Sequence, residues 1–220
     1  HKISSVLRMN KEEKLLIFDG KGKSQIMKID EMNKESVYLY APKKITNKPK
    51  NIPEIILAIS LIKPSRFETA IEKTTELGVS EIYPMVTQNT SSIFHKRMNQ
   101  KIIDRMTNIA ISAAEQCGND FIPQIHSPIK LEQILNFNDE ETKFILYYEK
   151  AKLDSKIDIK ITDYKKVVIL IGPEGGFTES EYSQISQKSL VLSLGENILR
   201  TETASICAVH ELNQLIRSTL

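Results

Sequence analysis

Leu170-Ile171-Gly172-Pro173-Glu174-Gly175-Gly176-Phe177 decides how the rest of this 220-residue chain reads. Residues 166–171 are continuously apolar after Lys166, as expected of a strand covered on both faces. The strand runs straight into a loop with three glycines and a proline, and a polar helix follows at 178–187. Glycines permit positive φ and let the backbone approach a ligand closely. Open α/β sheets bind ligands outside the carboxyl ends of their strands. The loop has no Gly-Lys-Ser/Thr ending and no GxGxxG, so it is neither a P-loop nor a dinucleotide fingerprint. A glycine loop without a phosphate motif favours a less anionic ligand, although an ordinary tight turn would use the same residues. Glu174 at its tip is an ionisable group with no structural need to be there.

A second segment repeats the pattern: Ser193-Leu194-Gly195-Glu196-Asn197-Ile198-Leu199-Arg200-Thr201-Glu202-Thr203-Ala204. A short strand at 190–194 ends in glycine, and two large apolar residues, Ile198 and Leu199, then sit in a loop. Exposed apolar loop residues cover a ligand face or another subunit. Thr201 suits an N-cap and Glu202 a first-turn acid. Arg200 works against the helix dipole and is one of six arginines in a chain that otherwise uses lysine, which points to a specific planar contact. A third segment, Ala113-Ala114-Glu115-Gln116-Cys117-Gly118, closes a long helix at 98–117; Glu115 and Gln116 also read as plain surface residues.

Outward from these segments the rhythm is strand–helix alternation. Strands are expected at 54–62, 81–86, 143–148 and 166–171. Helices are expected at 64–77 (stripe Phe67, Ala70, Ile71, Thr74, Leu77) and at 201–216 (stripe Ala204, Cys207, Ala208, Leu212, Leu215). That is an α/β domain with a mainly parallel sheet. The front differs. Segments 14–18, 24–29 and 36–40 read as short strands, with Asp19-Gly20 as a turn, so a small barrel or sheet is expected there. The stretch 41–53 is rich in proline and lysine and reads as a linker.

Charge follows the same division. The whole chain carries a net +2, but residues 1–50 hold twelve bases and six acids, and the remainder has a net −4. A basic front on a mildly acidic body implies two units with different partners. Hydrophobic content of 40% with 26% charged residues excludes a disordered chain. No apolar run reaches the roughly 18 residues of a membrane span. Two cysteines without a CxxC make neither a disulfide framework nor a zinc site, so no metal and a reducing, cytoplasmic setting are expected. Position 1 is His rather than Met, and part of an N-terminal element is expected to precede it.

Taken together, Gly172-Pro173-Glu174-Gly175-Gly176-Phe177 and Leu194-Gly195 with Ile198-Leu199-Arg200-Thr201-Glu202-Thr203-Ala204 resemble the RsmE-type 16S ribosomal RNA uridine-N3 methyltransferases of the SPOUT superfamily. Glu72-Lys73-Thr74-Thr75-Glu76-Leu77-Gly78-Val79, the Ala113–Gly118 segment, Val6-Leu7-Arg8-Met9 and Phe18-Asp19-Gly20 also match, so the resemblance spans essentially the whole chain. It implies an α/β fold: a knotted SPOUT (trefoil-knot) methyltransferase domain at 54–220, a linker at 46–53, and a small N-terminal PUA-like RNA-binding β-barrel domain at 1–45. Such a knot is a rare exception among folds. The resemblance also implies S-adenosyl-L-methionine as cofactor, a homodimer, and 16S ribosomal RNA or the small ribosomal subunit as partner, with no membrane and no metal.

Carried over by position, the cofactor would meet Leu170, Gly172, Pro173, Gly175 and Gly176 on one wall. Leu194, Gly195, Asn197, Ile198 and Leu199 would form another, with Thr201, Thr203 and Ala204 beside them. Arg200, Glu202 and Glu174 are the expected catalytic residues. Arg8, Lys21, Lys23 and Arg66 are the expected RNA contacts, since phosphate contacts provide most non-specific affinity. The sequence departs from the family pattern at Asn89, Asn119 and Asn197, where the resemblance calls for a basic residue. Three other readings stay open at this level: a non-catalytic RNA-binding or ribosome-assembly protein on the same fold, a sister SPOUT enzyme with another target atom, and a nucleotide-phosphate enzyme using the glycine loop.

Overall fold

The computed structural model describes residues 9–33, 36–42, 44–50, 52–137, 140–149, 151 and 160–219. The chain divides into two compact units, 1–50 and 51–220. In the first, β1 (Lys14–Phe18), β2 (Lys23–Met32), β3 (Val37–Tyr40) and β4 (Thr46–Asn47) form one antiparallel sheet centred on β2. The Asp19-Gly20 turn forms as expected. Asp19 Oδ1 accepts the backbone N–H of Lys21 at 2.7 Å and of Lys23 at 3.0 Å, and these donors hold its carboxyl below the usual carboxylate range. β2 runs three residues beyond the expected segment, through an irregularity at Ile29/Glu31, because a bulge lets a strand continue past a break in its alternation. β4 lies within the stretch read as a linker, where a two-residue strand leaves no periodicity to find.

The second unit begins with β5 (Glu54–Ser60), buried along nearly its whole length. α1 (Pro64–Glu76) follows, with proline in its first turn, where the missing N–H costs nothing. Gly78, at φ 86°, turns the chain into β6 (Glu81–Val86). α2 (Ser92–Arg97) precedes α3 (Gln100–Cys117), whose cap is the Asn99 side chain, accepting from the Ile102 amide at 3.1 Å. α3 stops at Gly118 in the left-handed region. Then come β7 (Gln124–Ile125), β8 (Ile129–Lys130), α4 (Leu131–Ile134), β9 (Thr142–Tyr147), β10 (Lys166–Ile171), α5 (Glu179–Ser186), β11 (Ser189–Leu192) and α6 (Thr201–Thr219).

The strands of this unit form one sheet in the order β11-β9-β10-β5-β6-β7, with β8 also on β6. Every pairing is parallel. Alternate residues of the strands supply two cores. One packs Leu57, Ile59, Ile145, Ile169 and Ile171 against α1, α3 and α6; the other packs Ile56, Ala58, Leu146 and Val168 against α4 and α5. This is a three-layer α/β/α domain.

α6 buries Ala208 and Leu212 of the expected stripe, but its inward face is rotated toward Ser205 and Val209. Ser205, Ala208, Val209 and Leu212 point inward, whereas Cys207 and Leu215 are only partly covered. The Ser205 hydroxyl donates to the Thr201 carbonyl at 2.8 Å, so a polar residue enters the core with its hydrogen bond made inside the helix. Asn213 Nδ2 also donates to the Leu77 carbonyl at 2.8 Å, tying α6 to the end of α1.

Glu211, half-buried on α6, has its carboxyl pushed above the usual range by burial. A carboxyl whose folded pKa exceeds its unfolded value contributes stability that is lost as pH rises through that window. The Glu211→Gln protein is expected to show a flatter dependence of urea-unfolding free energy on pH above 4.5, the group's ordinary pKa, and to be at least as stable as the parent at pH 7. A variant with the parent's slope counts against this assignment.

Candidate functional site

Strands β9, β10 and β11 point the same way, so their carboxyl ends meet at one edge of the sheet. The loops leaving β10 and β11 enclose a cavity of about 240 Å³ there. One wall is Gly172, Pro173, Glu174 and Gly176; the facing wall is Leu194, Gly195, Asn197, Ile198 and Leu199. Arg200, Thr201 and Ala204 close it from the start of α6. The two glycine segments singled out in the sequence thus line one space.

Local chemistry holds the first loop in shape. The Gly176 amide donates to the Pro173 carbonyl at 2.8 Å, and Gly176 sits at φ 68°. A Cβ on Gly172 would stand 2.9 Å from the Phe177 ring, so backbone there can lie only against that ring. Thr178 caps α5, and Glu181, nearly fully buried, completes a capping box by accepting the Thr178 amide at 2.9 Å. The other oxygen of Glu181 accepts the Gln88 amide at 2.8 Å. Asn89 Nδ2 then donates to the Gly175 and Gly176 carbonyls at 3.1 and 3.0 Å. The segment after β6 therefore clamps the glycine loop from outside.

The second loop is tied to the first. Thr201 Oγ1 donates to the Gly172 carbonyl at 3.1 Å, and the Ala204 amide donates to the Arg200 carbonyl at 2.8 Å. Arg200 is thereby the capping residue of α6. It is exposed, and none of the ion pairs among the described residues includes it. Ile198 is 83% exposed, an apolar side chain at the cavity without cover from its own chain.

Arg66, expected among the RNA contacts, stands in the first turn of α1 with its guanidinium between two carboxylates. Its Nη1 is 2.8 Å from Glu174 Oε1, and its Nε is 3.7 Å from Glu202 Oε1. Glu202 is nearly buried, and its second oxygen is shielded without a hydrogen-bond partner. Several expected residues lie off the cavity surface. Leu170 is fully buried in the core, Gly175 faces Asn89, and Thr203 is exposed on α6 outside the lining. Lys21 and Lys23 are exposed at the β1–β2 turn, and Arg8 lies outside the described residues.

The cavity also uses residues that sequence reading did not single out, Tyr147, Tyr148 and Glu149 at the end of β9, beside Ile171 and Phe177 of the first glycine segment. The signal for the first three was available, because a strand at 143–148 parallel to 166–171 must end at the same edge. Burial, and then the charge of Glu211, push the Tyr147 phenol above its ordinary value. Of the three asparagine departures, Asn89 has the loop-clamping role above, Asn119 accepts the Phe121 amide at 3.1 Å in the turn after α3, and Asn197 is exposed at the cavity.

An RNA methyltransferase domain family matches residues 48–213. A ribosomal RNA small subunit methyltransferase E from Buchnera aphidicola is 32% identical over 217 residues, covering 98% of this chain and 85% of that protein. A Legionella pneumophila protein solved in complex with the bound cofactor SAM superposes with a TM-score of 0.81 at 32% identity, covering 97% of this chain and 87% of its own. A ribosomal RNA small subunit methyltransferase E from Neisseria gonorrhoeae, solved bound to S-adenosyl methionine, gives 0.81 at 28% identity over 97% of this chain and 88% of its own.

Removing the clamp on the glycine loop should be measurable. Asn89→Ala is expected to cost about 1–2 kcal/mol in chemical denaturation, since two carbonyls lose their donor. Gly172→Ala is expected to lower the melting temperature further, because the added methyl meets the Phe177 ring. Unchanged stability in both variants contradicts this account of the loop.

Proposed function

The chain belongs to the RNA methyltransferase domain family, as a ribosomal RNA small subunit methyltransferase E, and on that premise we propose that it methylates N3 of a uridine in 16S ribosomal RNA. It is an S-adenosylmethionine-dependent ribosomal RNA methyltransferase. The observation that carries the finer reading is the cavity itself, with its two glycine walls and an arginine at the rim that pairs with no carboxylate among the described residues.

The residues present fit the cofactor. Gly172 and Gly176 leave backbone rather than side chain on one wall, and Gly195, at φ 130°, does the same on the other. Ile198 and Leu199 offer an apolar surface to a flat base such as adenine. When bound, S-adenosylmethionine supplies an electrophilic methyl group on a positively charged sulfur. Leu170, Gly175 and Thr203 support these walls from behind or beside rather than by lining them.

Uracil N3 is a weak nucleophile until it loses its proton, so the protein must favour the uridinate and align it. Arg200 has a full charge available at the rim and donates to the uracil carbonyl oxygens, where negative charge accumulates. Glu174 lines the cavity, and in this reading it orients or accepts the N3 proton. Glu202, shielded behind Arg66, supports the start of α6. N3 lies on the Watson–Crick edge, so the target base must be single-stranded or flipped.

The path from β10 through α5 and β11 back to Thr201 against Gly172 suits a trefoil knot. The exposure of Ile198 suits a homodimer in which a second subunit covers the cavity edge. The first unit acts as the PUA-like module, with Arg8, Lys21 and Lys23 gripping RNA phosphates, and the enzyme works in the cytoplasm on the small subunit. None of the described helices is long and apolar enough to cross a membrane.

Nucleoside analysis of small-subunit RNA from a strain lacking this protein tests the target atom. Loss of N3-methyluridine is expected; its retention, or loss of a ribose-methylated nucleoside instead, would overturn the assignment. With purified enzyme, Arg200→Ala is expected to lower kcat by about a hundredfold or more, while S-adenosylmethionine binding measured by calorimetry stays within a few-fold of the parent.

A further inference from the structure

Three charged groups from distant parts of the sequence form a row beside the cavity. Glu202, its side chain 12% exposed, lies innermost; Arg66, at 33%, comes next; Glu174, at 47%, faces the cavity. Arg66 belongs to neither glycine segment. It stands near the amino end of α1, where a cation opposes the helix dipole. Two carboxylates offset that cost, and the trio carries a net negative charge. The planar guanidinium can serve both because its Nε and Nη1 point in different directions, a geometry a lysine ammonium on its single stem does not reproduce.

We infer that Arg66 is a positioning residue for methyl transfer and not a phosphate contact. Its fork ties the tip of the glycine loop to the first turn of α6, the segments that carry the facing walls of the cavity. It also fixes which Glu174 oxygen is presented. Oε1 is bound to Arg66 at 2.8 Å, and the same carboxylate lines the cavity. Arg200, with no carboxylate partner among the described residues, keeps its charge for the substrate, whereas Arg66 has none to spare. The two arginines near the cavity thus divide the work: one holds the site and one acts in it. Misplacing a reacting group by about 1 Å can cost roughly a hundredfold in rate, so loss of Arg66 should act on turnover.

The inference rests on the cofactor and substrate reading above, so the parent enzyme is assayed alongside. Failure of the parent to bind S-adenosylmethionine or to methylate small subunits overturns that reading rather than the role of Arg66. With an active parent, Arg66→Ala is expected to lower kcat about 10- to 100-fold. RNA affinity and its salt dependence should stay as in the parent. Arg66→Lys should recover part of the rate, because an ammonium can hold Glu174 but not both carboxylates. Arg66→Ala combined with Glu174→Gln should lose less than the product of the two single losses, since the two changes share one broken interaction. A parent-like kcat with weakened RNA binding and a salt slope reduced by about one unit overturns the inference, as does full activity of Arg66→Lys or a double variant whose losses multiply. If Arg66→Ala does not fold, Arg66→Lys and Glu174→Gln decide the question by the same kcat and RNA-affinity readings.

Discussion

Everything in the second unit depends on the parallel pairing of β10 with β9 on one side and β5 on the other. A strand hydrogen-bonded along both edges and covered by helices on both faces leaves no room for polar side chains, and Val167 through Leu170 are fully buried. Chain leaving such a strand must become polar, flexible and functional only at its end. Because β9 and β11 share its direction, their exits fall at the same place. The cavity is therefore a consequence of strand direction before it is a consequence of any particular side chain.

What converts that shared edge into a defined site is a small number of polar ties. Thr201 to the Gly172 carbonyl joins the two loops directly. Asn89 and Glu181 hold the first loop from the side of β6. Arg66 does so from α1 through carboxylates. Loops are ordinarily the mobile parts of a domain, and these are fixed by groups on regular elements or next to them. Three of the bonds reach the glycine loop through its carbonyls, which a glycine offers without any side chain in the way.

Much of this was legible in the sequence because apolar runs, glycine punctuation and helix stripes are written locally. The strand at 166–171, the helix closed by Gly118 and both glycine segments could be read without coordinates. β4, β7, β8 and α4 could not, since two to four residues carry no period, and their pairing partners are set by tertiary contact. The buried face of α6 was read only in part for a different reason: Ala208 and Leu212 fit its stripe, but Ser205 looks like a surface residue until its hydroxyl is seen bonded within the helix. Arg66 shows what charge reading alone leaves out. A basic residue in a chain expected to meet RNA looks like a phosphate contact, and only the fold reveals two acids from the other end of the chain beside it. Tyr147 to Glu149 lay within reach, since parallel neighbours end together.

The order of the strands also sets a schedule. β5 is among the first elements of its unit to be synthesised, yet its neighbour β10 pairs residues as distant as Glu54 and Lys166. Closing so long a loop is entropically costly and slow compared with forming local structure. The antiparallel sheet of the first unit draws only on neighbouring segments, so it can fold while the remainder is still emerging from the ribosome. The cavity, in contrast, needs α6, which ends at Thr219. Binding competence is thus acquired only once α6 has been made, and a nascent chain has the antiparallel sheet in place well before it has anywhere to hold a cofactor.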